Sequence, residues 1–362
     1  MSELREGFTT GTAAAAAAMA GVLYLGDGRK RSCVRVGIPA GGTLTIPVAG
    51  YREDSDGVRV TVIKDGGDDP DATHKAEIVC LIRLETERSA GVTIDGGRGV
   101  GRVTRPGLPV PVGRAAINPV PLAQIEAAVR EAARETGIVS GICVTVEVPE
   151  GERIARNTLN SRLGIVGGIS ILGTRGTVKP FSHEAYVATI RQCLDSARAM
   201  GISRAGFSTG GRSERLLRAL LNSPEESFIQ VADFFAPAMA MAGERDIGQV
   251  VWGVFYGKLV KQAQGHSNTH AKHAPVDFER LNRWWLGCGG DGAVGREIAG
   301  ANTAMQVYGM IRELPEAEKF TELLVERALG HARGFGGGKV AVDYVVFTFD
   351  GKSVYSTLEN SL

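Results

Sequence analysis

The sequence predicts an α+β domain over residues 1–150, with an alanine-rich first helix and an acidic loop, followed by an α/β domain over residues 151–362. Three observations support this fold class. The 362 residues exceed the size of one typical core. Strand candidates stand apart from helices in the first half. In the second half a short apolar strand, a glycine turn and a helix alternate, which is typical of a mostly parallel sheet with glycine-rich loops at strand ends.

Hydrophobic periodicity predicts the elements of the first half. The alanine run after Thr12 predicts a helix with Thr9, Thr10 or Thr12 as its N-cap. A second helix is predicted at residues 122–136, after a segment rich in proline. The predicted strands are residues 33–38, 43–48, 57–63, 77–84 and 139–148.

The second half is predicted to begin with a strand at residues 163–166, which enters a glycine-rich stretch. Ligands of parallel sheets collect at the carboxyl ends of strands, so residues 164–174 and the turn at Thr209, Gly210 and Gly211 are expected side by side. The other predicted strands are residues 204–208, 249–255 and 340–349, the last leading through a hairpin into residues 352–356. The predicted helices are residues 182–200, 212–221, 228–242 and 258–264.

Composition restricts the class of partner. Lys and Arg total 41 against 40 Asp and Glu, so no charge excess favours nucleic acid or an anionic membrane surface. No apolar run approaches the roughly 20 residues that span a bilayer. The five cysteines are scattered without a CxxC pair, which fits a reducing cytoplasm. We therefore expect a cytoplasmic protein that binds neither nucleic acid nor a membrane, and the sequence leaves a homo-oligomer open.

The acidic segment, residues 64–74, is the most concentrated polar stretch of the chain. It contains four aspartates, among them Asp65 and Asp68, and ends at His74. Close carboxylates repel each other, so one of them can hold a raised pKa and act as an acid or base. The same oxygens can bind a hard cation, and a solvated turn explains the composition equally well.

The glycine-rich stretch offers a second kind of site. Gly164, Gly167 and Gly168 let the backbone approach a ligand closely, and Ser170 and Thr174 add hydroxyl groups. A tight structural turn explains this spacing nearly as well.

A cluster of histidines follows the helix predicted at residues 258–264. His266, His270 and His273, with Asn268 among them, invite a metal interpretation. Polar contacts to a substrate and a capped loop are the alternatives. No cysteine lies nearby in the sequence, so we predict no metal site.

Ordered motifs along most of the chain resemble one known family. They are residues 7–12, 64–65, 67–71, 73–74, 94–97, 107–108, 116–121, 159–160, 162–174, 209–214, 257–259 and 268–270. Together these motifs resemble the CbiD family of cobalt-precorrin-5B C1-methyltransferases. The chain departs from the family at Ala13, where cysteine is common, at Ser161, where proline is common, and at Arg175, where threonine is common.

The resemblance implies that S-adenosylmethionine methylates C1 of cobalt-precorrin-5B to give cobalt-precorrin-6A in anaerobic cobalamin biosynthesis. Cobalt then arrives with the tetrapyrrole substrate. The implied catalytic residues are Asp65, Asp68 and His74. The implied cofactor-binding residues are Gly164, Gly167, Gly168, Ser170, Thr174, Thr209, Gly210 and Gly211. The implied substrate-binding residues are Thr9, Thr10, Arg102, Arg162, Arg175, Arg212, Lys258, Asn268 and His270.

Two other functions stay open at this point. A dinucleotide-dependent reductase of a corrin precursor also uses an alternating sheet, but the sequence lacks a good GxGxxG match followed by an acidic residue. A non-catalytic corrinoid-binding protein would bind the tetrapyrrole without affinity for S-adenosylmethionine.

Overall fold

A computed structural model of the chain describes residues 4–85 and 91–358, and it is a mixed α/β structure with several sheets. The chain divides into two compact units, the first ending at Ser182 and the second beginning at His183. The boundary expected at residue 150 is therefore corrected to residue 182. The reason is that residues 151–182 form strands and backbone contacts with elements of the first unit.

The first unit contains three helices and thirteen strands within its described residues. The helices are α1 Thr10–Asp27, α2 Pro119–Thr136 and α3 Gly151–Ala155. The strands are β1 Gly7–Phe8, β2 Cys33–Gly37, β3 Thr43–Pro47, β4 Gly50–Asp54, β5 Gly57–Ile63, β6 Glu77–Glu85, β7 Val92–Gly96, β8 Gly99–Val100, β9 Arg102–Val103, β10 Gly141–Glu147, β11 Ile165–Val166, β12 Gly168–Ile169 and β13 Thr177–Val178.

Helix α1 packs on a five-stranded sheet with the order β4-β5-β6-β10-β7. All pairs are antiparallel except β10 with β7. Small side chains let the helix approach closely, since Ala13, Ala16 and Ala20 are fully buried and Gly21 lies against Ile82. The predicted cap is confirmed at Thr9, whose side chain accepts a hydrogen bond from the backbone N–H of Thr12.

The glycine-rich stretch belongs to the first unit. Strand β11 pairs antiparallel with β9, and β12 pairs parallel with β8. The prediction that residues 163–166 begin the parallel sheet of the second half is therefore wrong. Gly99 and Gly168 explain the arrangement, because an added Cβ at Gly168 would overlap the carbonyl oxygen of Gly99. Only glycine lets these two backbones meet.

The second unit contains a five-stranded sheet and eight α-helices within its described residues. The strands are β14 Arg204–Ser208, β15 Phe228–Gln230, β16 Gln249–Phe255, β17 Ala341–Phe347 and β18 Ser353–Ser356. The helices are α4 His183–Ala199, α5 Gly211–Leu220, α6 Phe235–Glu244, α7 Tyr256–Ala263, α8 Phe278–Gly287, α9 Gly292–Ala299, α10 Ala304–Ile311 and α11 Ala317–Phe335.

The sheet of the second unit has the order β15-β14-β16-β17-β18. The first three pairs are parallel, and the β17–β18 hairpin is antiparallel. Helix α5 covers one face through Leu217, which packs with Val251 and Phe347. The other face carries Trp252 and Tyr344, which belong to the core formed with helices α6, α7 and α11.

Residues 228–242, predicted as one helix, form a strand and a helix. Phe228 and Ile229 are buried in strand β15, and Ala232 then adopts a left-handed φ of 47° that no continuous helix allows. The elements that the sequence did not predict are helix α3, strands β4 and β7, the two-residue strands β1, β8, β9, β12 and β13, and the four helices between Phe278 and Phe335. The remaining predicted elements are confirmed to within a few residues.

A substitution at Gly168 tests the contact between the two backbones. Gly168→Ala should lower the free energy of unfolding by about 1–3 kcal/mol, the usual cost of overpacking, because the Gly99 carbonyl cannot rotate away as a side chain can. Urea denaturation measures it. Gly50→Ala is the matched control, since a Cβ at Gly50 in strand β4 meets no atom within 4 Å. Equal stability of the two variants would contradict the close packing.

Candidate functional site

The carboxyl ends of the four parallel strands β15, β14, β16 and β17 meet at one edge of the sheet in the second unit. Strand β14 leads through α5 to β15 on one side, whereas β16 leads towards β17 on the other. Adjacent strands whose connections depart in opposite directions leave a crevice at their carboxyl ends, where open α/β sheets bind ligands. The strand order predicts such a crevice between the turn Thr209, Gly210, Gly211 and the first residues of helix α7.

Two glycines leave open space at this crevice. Gly210 has extended backbone, with φ 170° and ψ 173°, and an added Cβ would meet no atom within 4 Å. The same holds for Gly257 in the first turn of α7. Just below the turn, the Ser208 hydroxyl is buried and has no hydrogen-bond partner within the described part of the chain. A buried hydroxyl without a partner is costly, so the Ser208 hydroxyl is a candidate hydrogen-bonding group for a polar ligand atom.

A charged network lies beside the crevice. The Lys258 ammonium contacts Asp233, which follows strand β15. Thr269 donates its hydroxyl to Asp233 Oδ1 at 2.9 Å, and Lys261 Nζ donates to the Thr269 carbonyl at 3.1 Å. Burial by itself would raise the pKa of Asp233, but the hydrogen bond and charge of Lys258, together with the Thr269 hydrogen bond and the charge of His270, lower it. Asp233 is therefore a fixed anion at the sheet edge.

The other predicted residues of the second unit have structural partners. Asn268 Oδ1 accepts a hydrogen bond from the backbone of His270 at 2.9 Å, and His270 Nδ1 accepts one from Lys272 at 3.2 Å. Arg212 donates to the Phe349 carbonyl and lies over the Phe255 ring. Both contacts hold Arg212 across the ends of strands β16 and β17.

In the first unit, the acidic segment ties the chain together. Arg5 forms an ion pair with Asp65, and its backbone N–H donates to Asp68 Oδ2 at 2.7 Å. The hydrogen bond from Arg5 lowers the pKa of Asp65 to about 2. A carboxylate with so low a pKa is a weak base at neutral pH. Lys64, which is 1% exposed, pairs with Asp71 inside the turn.

Among the three predicted catalytic residues, His74 keeps a ring nitrogen that can still form a hydrogen bond with a ligand. Its Nδ1 accepts a hydrogen bond from the backbone N–H of Gly66 at 3.0 Å and lies 3.7 Å from Asp65. In the neutral ring the proton is therefore on Nε2, which forms no hydrogen bond with the described residues. His74 can offer this N–H to a ligand.

Other predicted residues support the first unit. Thr10 exchanges two hydrogen bonds with the backbone of Leu172, so it holds the end of the glycine-rich stretch on helix α1. Ser170 is buried and bonds Asn160, whose amide donates to the Gly168 carbonyl at 3.0 Å.

The other predicted residues of the glycine-rich stretch, and the arginines beside it, differ in backbone conformation and in exposure. Gly164 and Gly167 have positive φ angles of 71° and 86°. Thr174 and Arg175 are exposed, and Arg162 is half-buried.

The sequence did not predict Ser208, Asp233 or Thr269 as site residues, and Gly257 was recognised only as part of the motif at residues 257–259. Asp233 had a readable signal, because an acidic residue roughly 20 positions after a strand and glycine turn is typical of nucleotide-binding sheets. Within residues 4–85 and 91–358, no group of three or more His, Cys, Asp or Glu is arranged to hold a metal ion. None of the described helices has both the length and the apolar character that crossing a membrane requires.

This chain belongs to the CbiD family, as its similarity to known proteins shows. A family model described as CbiD matches residues 1–180, and one described as CbiD, C-terminal domain, matches residues 268–357. The particular relatives are named cobalt-precorrin-5B C(1)-methyltransferase. The one from Nitratidesulfovibrio vulgaris is 50% identical, covering 98% of this chain and 92% of that protein. The one from Geobacillus thermodenitrificans is 45% identical, covering 97% and 94%.

A solved structure is also similar. The crystal structure of the cobalamin biosynthesis protein CbiD from Archaeoglobus fulgidus is 27% identical, with a TM-score of 0.41. The match covers 70% of this chain and 78% of that chain. The family resemblance carried by the sequence motifs is thus confirmed by the relatives of nearly full length.

The pH dependence of stability tests the Arg5–Asp65 pair. A folded pKa of about 2, below the usual 3.8, stabilises the protein above pH 3.8 and loses this effect as pH falls towards 2. Asp65→Asn should therefore destabilise the protein at neutral pH and match the wild type near pH 2, measured by urea denaturation across this range. Arg5→Gln should follow the same course. A stability difference that does not change with pH would contradict the pairing.

Proposed function

We propose that this chain transfers a methyl group from S-adenosylmethionine to C1 of cobalt-precorrin-5B, giving cobalt-precorrin-6A in anaerobic cobalamin biosynthesis. The observation that carries the proposal is the 50% identity, over 98% of the chain, to a relative named for this reaction. The ordered motifs extend through both units, which supports the same activity for the whole chain.

When bound, S-adenosylmethionine supplies a methyl that is already electrophilic on its sulfonium sulfur, so the chain needs no nucleophile of its own. The residues of the chain have to hold ring carbon and methyl in line, and alignment alone can contribute several kcal/mol. They also have to stabilise the reactive form of the ring. The Nε2 proton of His74 is suited to this task, because Gly66 fixes the tautomer.

We place the methyl donor at the crevice of the second unit. Gly210 and Gly257 leave room for a nucleoside against the backbone, and the Ser208 hydroxyl offers an unused hydrogen bond. Asp233 uses only part of its acceptor capacity on Lys258 and Thr269, so it can accept a ribose hydroxyl as well. The residues present therefore fit the donor at Thr209, Gly210 and Gly211. The glycine-rich stretch was predicted to bind the donor because it was expected at a strand end of this sheet. It follows no strand of this sheet, so we do not place the donor there.

We also propose a fold class for each of the two units. The two units correspond to an α+β domain followed by an α/β domain with a mostly parallel sheet, which is supported by three parallel strand pairs in the second unit. The five cysteines are unpaired, as is typical of proteins in a reducing cytoplasm.

The reaction itself is tested by incubating the full chain with S-adenosylmethionine and cobalt-precorrin-5B. Mass spectrometry should find one added methyl on the tetrapyrrole and one S-adenosylhomocysteine for each product. A reductase would instead add hydrogen and consume a nicotinamide cofactor. A corrinoid-binding protein would leave the mass of the tetrapyrrole unchanged.

The donor position is tested by Gly210→Asn. Asparagine is a favourable N-cap and the backbone there is extended, so the variant should fold normally while its side chain fills the open space. Calorimetry should show S-adenosylmethionine binding weakened at least tenfold, or about 1.4 kcal/mol.

Gly330→Asn is the matched control for this experiment. It adds the same side chain to a glycine of helix α11 in the same unit, also with no neighbouring atom within 4 Å. The control should bind the donor as the wild type does. Wild-type affinity in a folded Gly210→Asn variant would move the donor site away from this crevice.

A further inference from the structure

One exposed face of the first unit combines arginines with apolar side chains. It lies on the β9–β11 pair and the loop that precedes Ala115, and we call it the arginine face. Its members are Arg102, Arg105, Val112, Arg114 and Val166. Val166 is 60% exposed and Val112 is 55% exposed, which is high for valine and leaves both side chains without a protein covering.

Strand register places the apolar and cationic groups together. Val166 is directly opposite Arg102 in the antiparallel β9–β11 pair, so the two side chains lie on the same side of the ribbon. Arg102 also donates to the Gly113 carbonyl at 3.4 Å, next to Val112. Arg102 thus lies opposite exposed Val166 and is hydrogen-bonded to the residue that follows exposed Val112.

The arginine face carries more positive charge than its neighbouring carboxylate can neutralise. Arg102 donates to Asp95 Oδ2 at 2.9 Å. Burial would raise the pKa of Asp95, but the hydrogen bond and charge of Arg102 lower it, and the charge of Arg114 acts in the same direction. Arg102 therefore pairs with Asp95, and Arg114 adds a second positive charge that acts on the same single carboxylate.

A third arginine lies close by because of a glycine. The Arg105 side chain crosses Gly164, where an added Cβ would come within 2.6 Å of Arg105 Cγ. Thr104 is held to the same residue, since its N–H donates to the Gly164 carbonyl at 2.8 Å. The absence of a side chain at Gly164 thus leaves room for the aliphatic part of Arg105, which lies next to strand β9.

We propose that the arginine face binds the tetrapyrrole substrate, with Arg102 and its neighbours on the rim carboxylates and Val112 and Val166 against the ring. This inference rests on the proposed function, which supplies a substrate that is flat, largely apolar and rich in acetate and propionate groups. Guanidinium groups match carboxylates with paired hydrogen bonds, and apolar side chains between them match the ring. Charge complementarity therefore selects a polycarboxylate corrinoid over a neutral one.

The test compares two cobalt corrinoids as probes, cobyrinic acid with free carboxylates and cobinamide with neutral amides. Titration followed by visible absorbance should show that the wild-type full chain prefers cobyrinic acid and that salt weakens the binding. Arg102→Gln should weaken cobyrinic acid binding at least tenfold while changing cobinamide binding much less. Val166→Asp should weaken the binding of both probes.

Arg130→Gln is the matched control. Arg130 is an exposed arginine of helix α2 that also pairs with a carboxylate, Glu126. The Arg130→Gln variant should bind both probes as the wild type does. The melting temperatures of all variants establish that they are folded.

Two outcomes separate this inference from the proposed function. Wild-type affinity in folded Arg102→Gln and Val166→Asp variants would overturn the placement, while methylation by the wild-type chain would still stand. Loss of cobyrinic acid affinity in these variants, with no methylation by the wild type, would support the site and reject the reaction.

Discussion

The buried N-terminus of helix α1 is the constraint on which the first unit depends. The first N–H groups of a helix have no partner inside it, and burial removes water as an alternative. Here the N–H of Gly11 donates to the Leu172 carbonyl, and the N–H of Thr12 donates to the Thr9 hydroxyl at 3.2 Å. Thr12 also donates its own hydroxyl to the Gly176 carbonyl at 2.8 Å. The segment after β12 therefore has to return to α1, which is why the first unit continues to Ser182.

The same unit uses its charges mainly to hold the backbone. Asp68 accepts the N–H of Arg5, and Asp69 accepts the N–H of Phe181 at 2.9 Å, so the acidic segment connects both ends of the unit. Buried Lys64 is compensated by Asp71, because an unpaired ammonium at that depth would be strongly destabilising. The carboxylates of the acidic segment thus connect separate parts of the backbone, and His74 is the residue that we propose for the chemistry.

The second unit is governed by the order of its strands. Because β14 and β16 are neighbours whose chains leave in opposite directions, their carboxyl ends cannot be covered by their own helices. Glycine at positions 210 and 257 then keeps the opening clear of side chains, and the Lys258–Asp233 pair fixes charge beside it. The fold and the residue types therefore agree on one place for a polar ligand.

The sequence by itself determined the family, the alanine helix with its Thr9 cap, and strands such as β14 and β16, because these depend on local periodicity and on ordered motifs. It also predicted Gly210 as a ligand-binding position. Only the tertiary structure decided that Gly168 packs on Gly99, that Asp233 joins Lys258, and that Val166 stands opposite Arg102. Those relations join residues far apart in the chain, and strand pairing is set by the whole core rather than by the neighbouring residues.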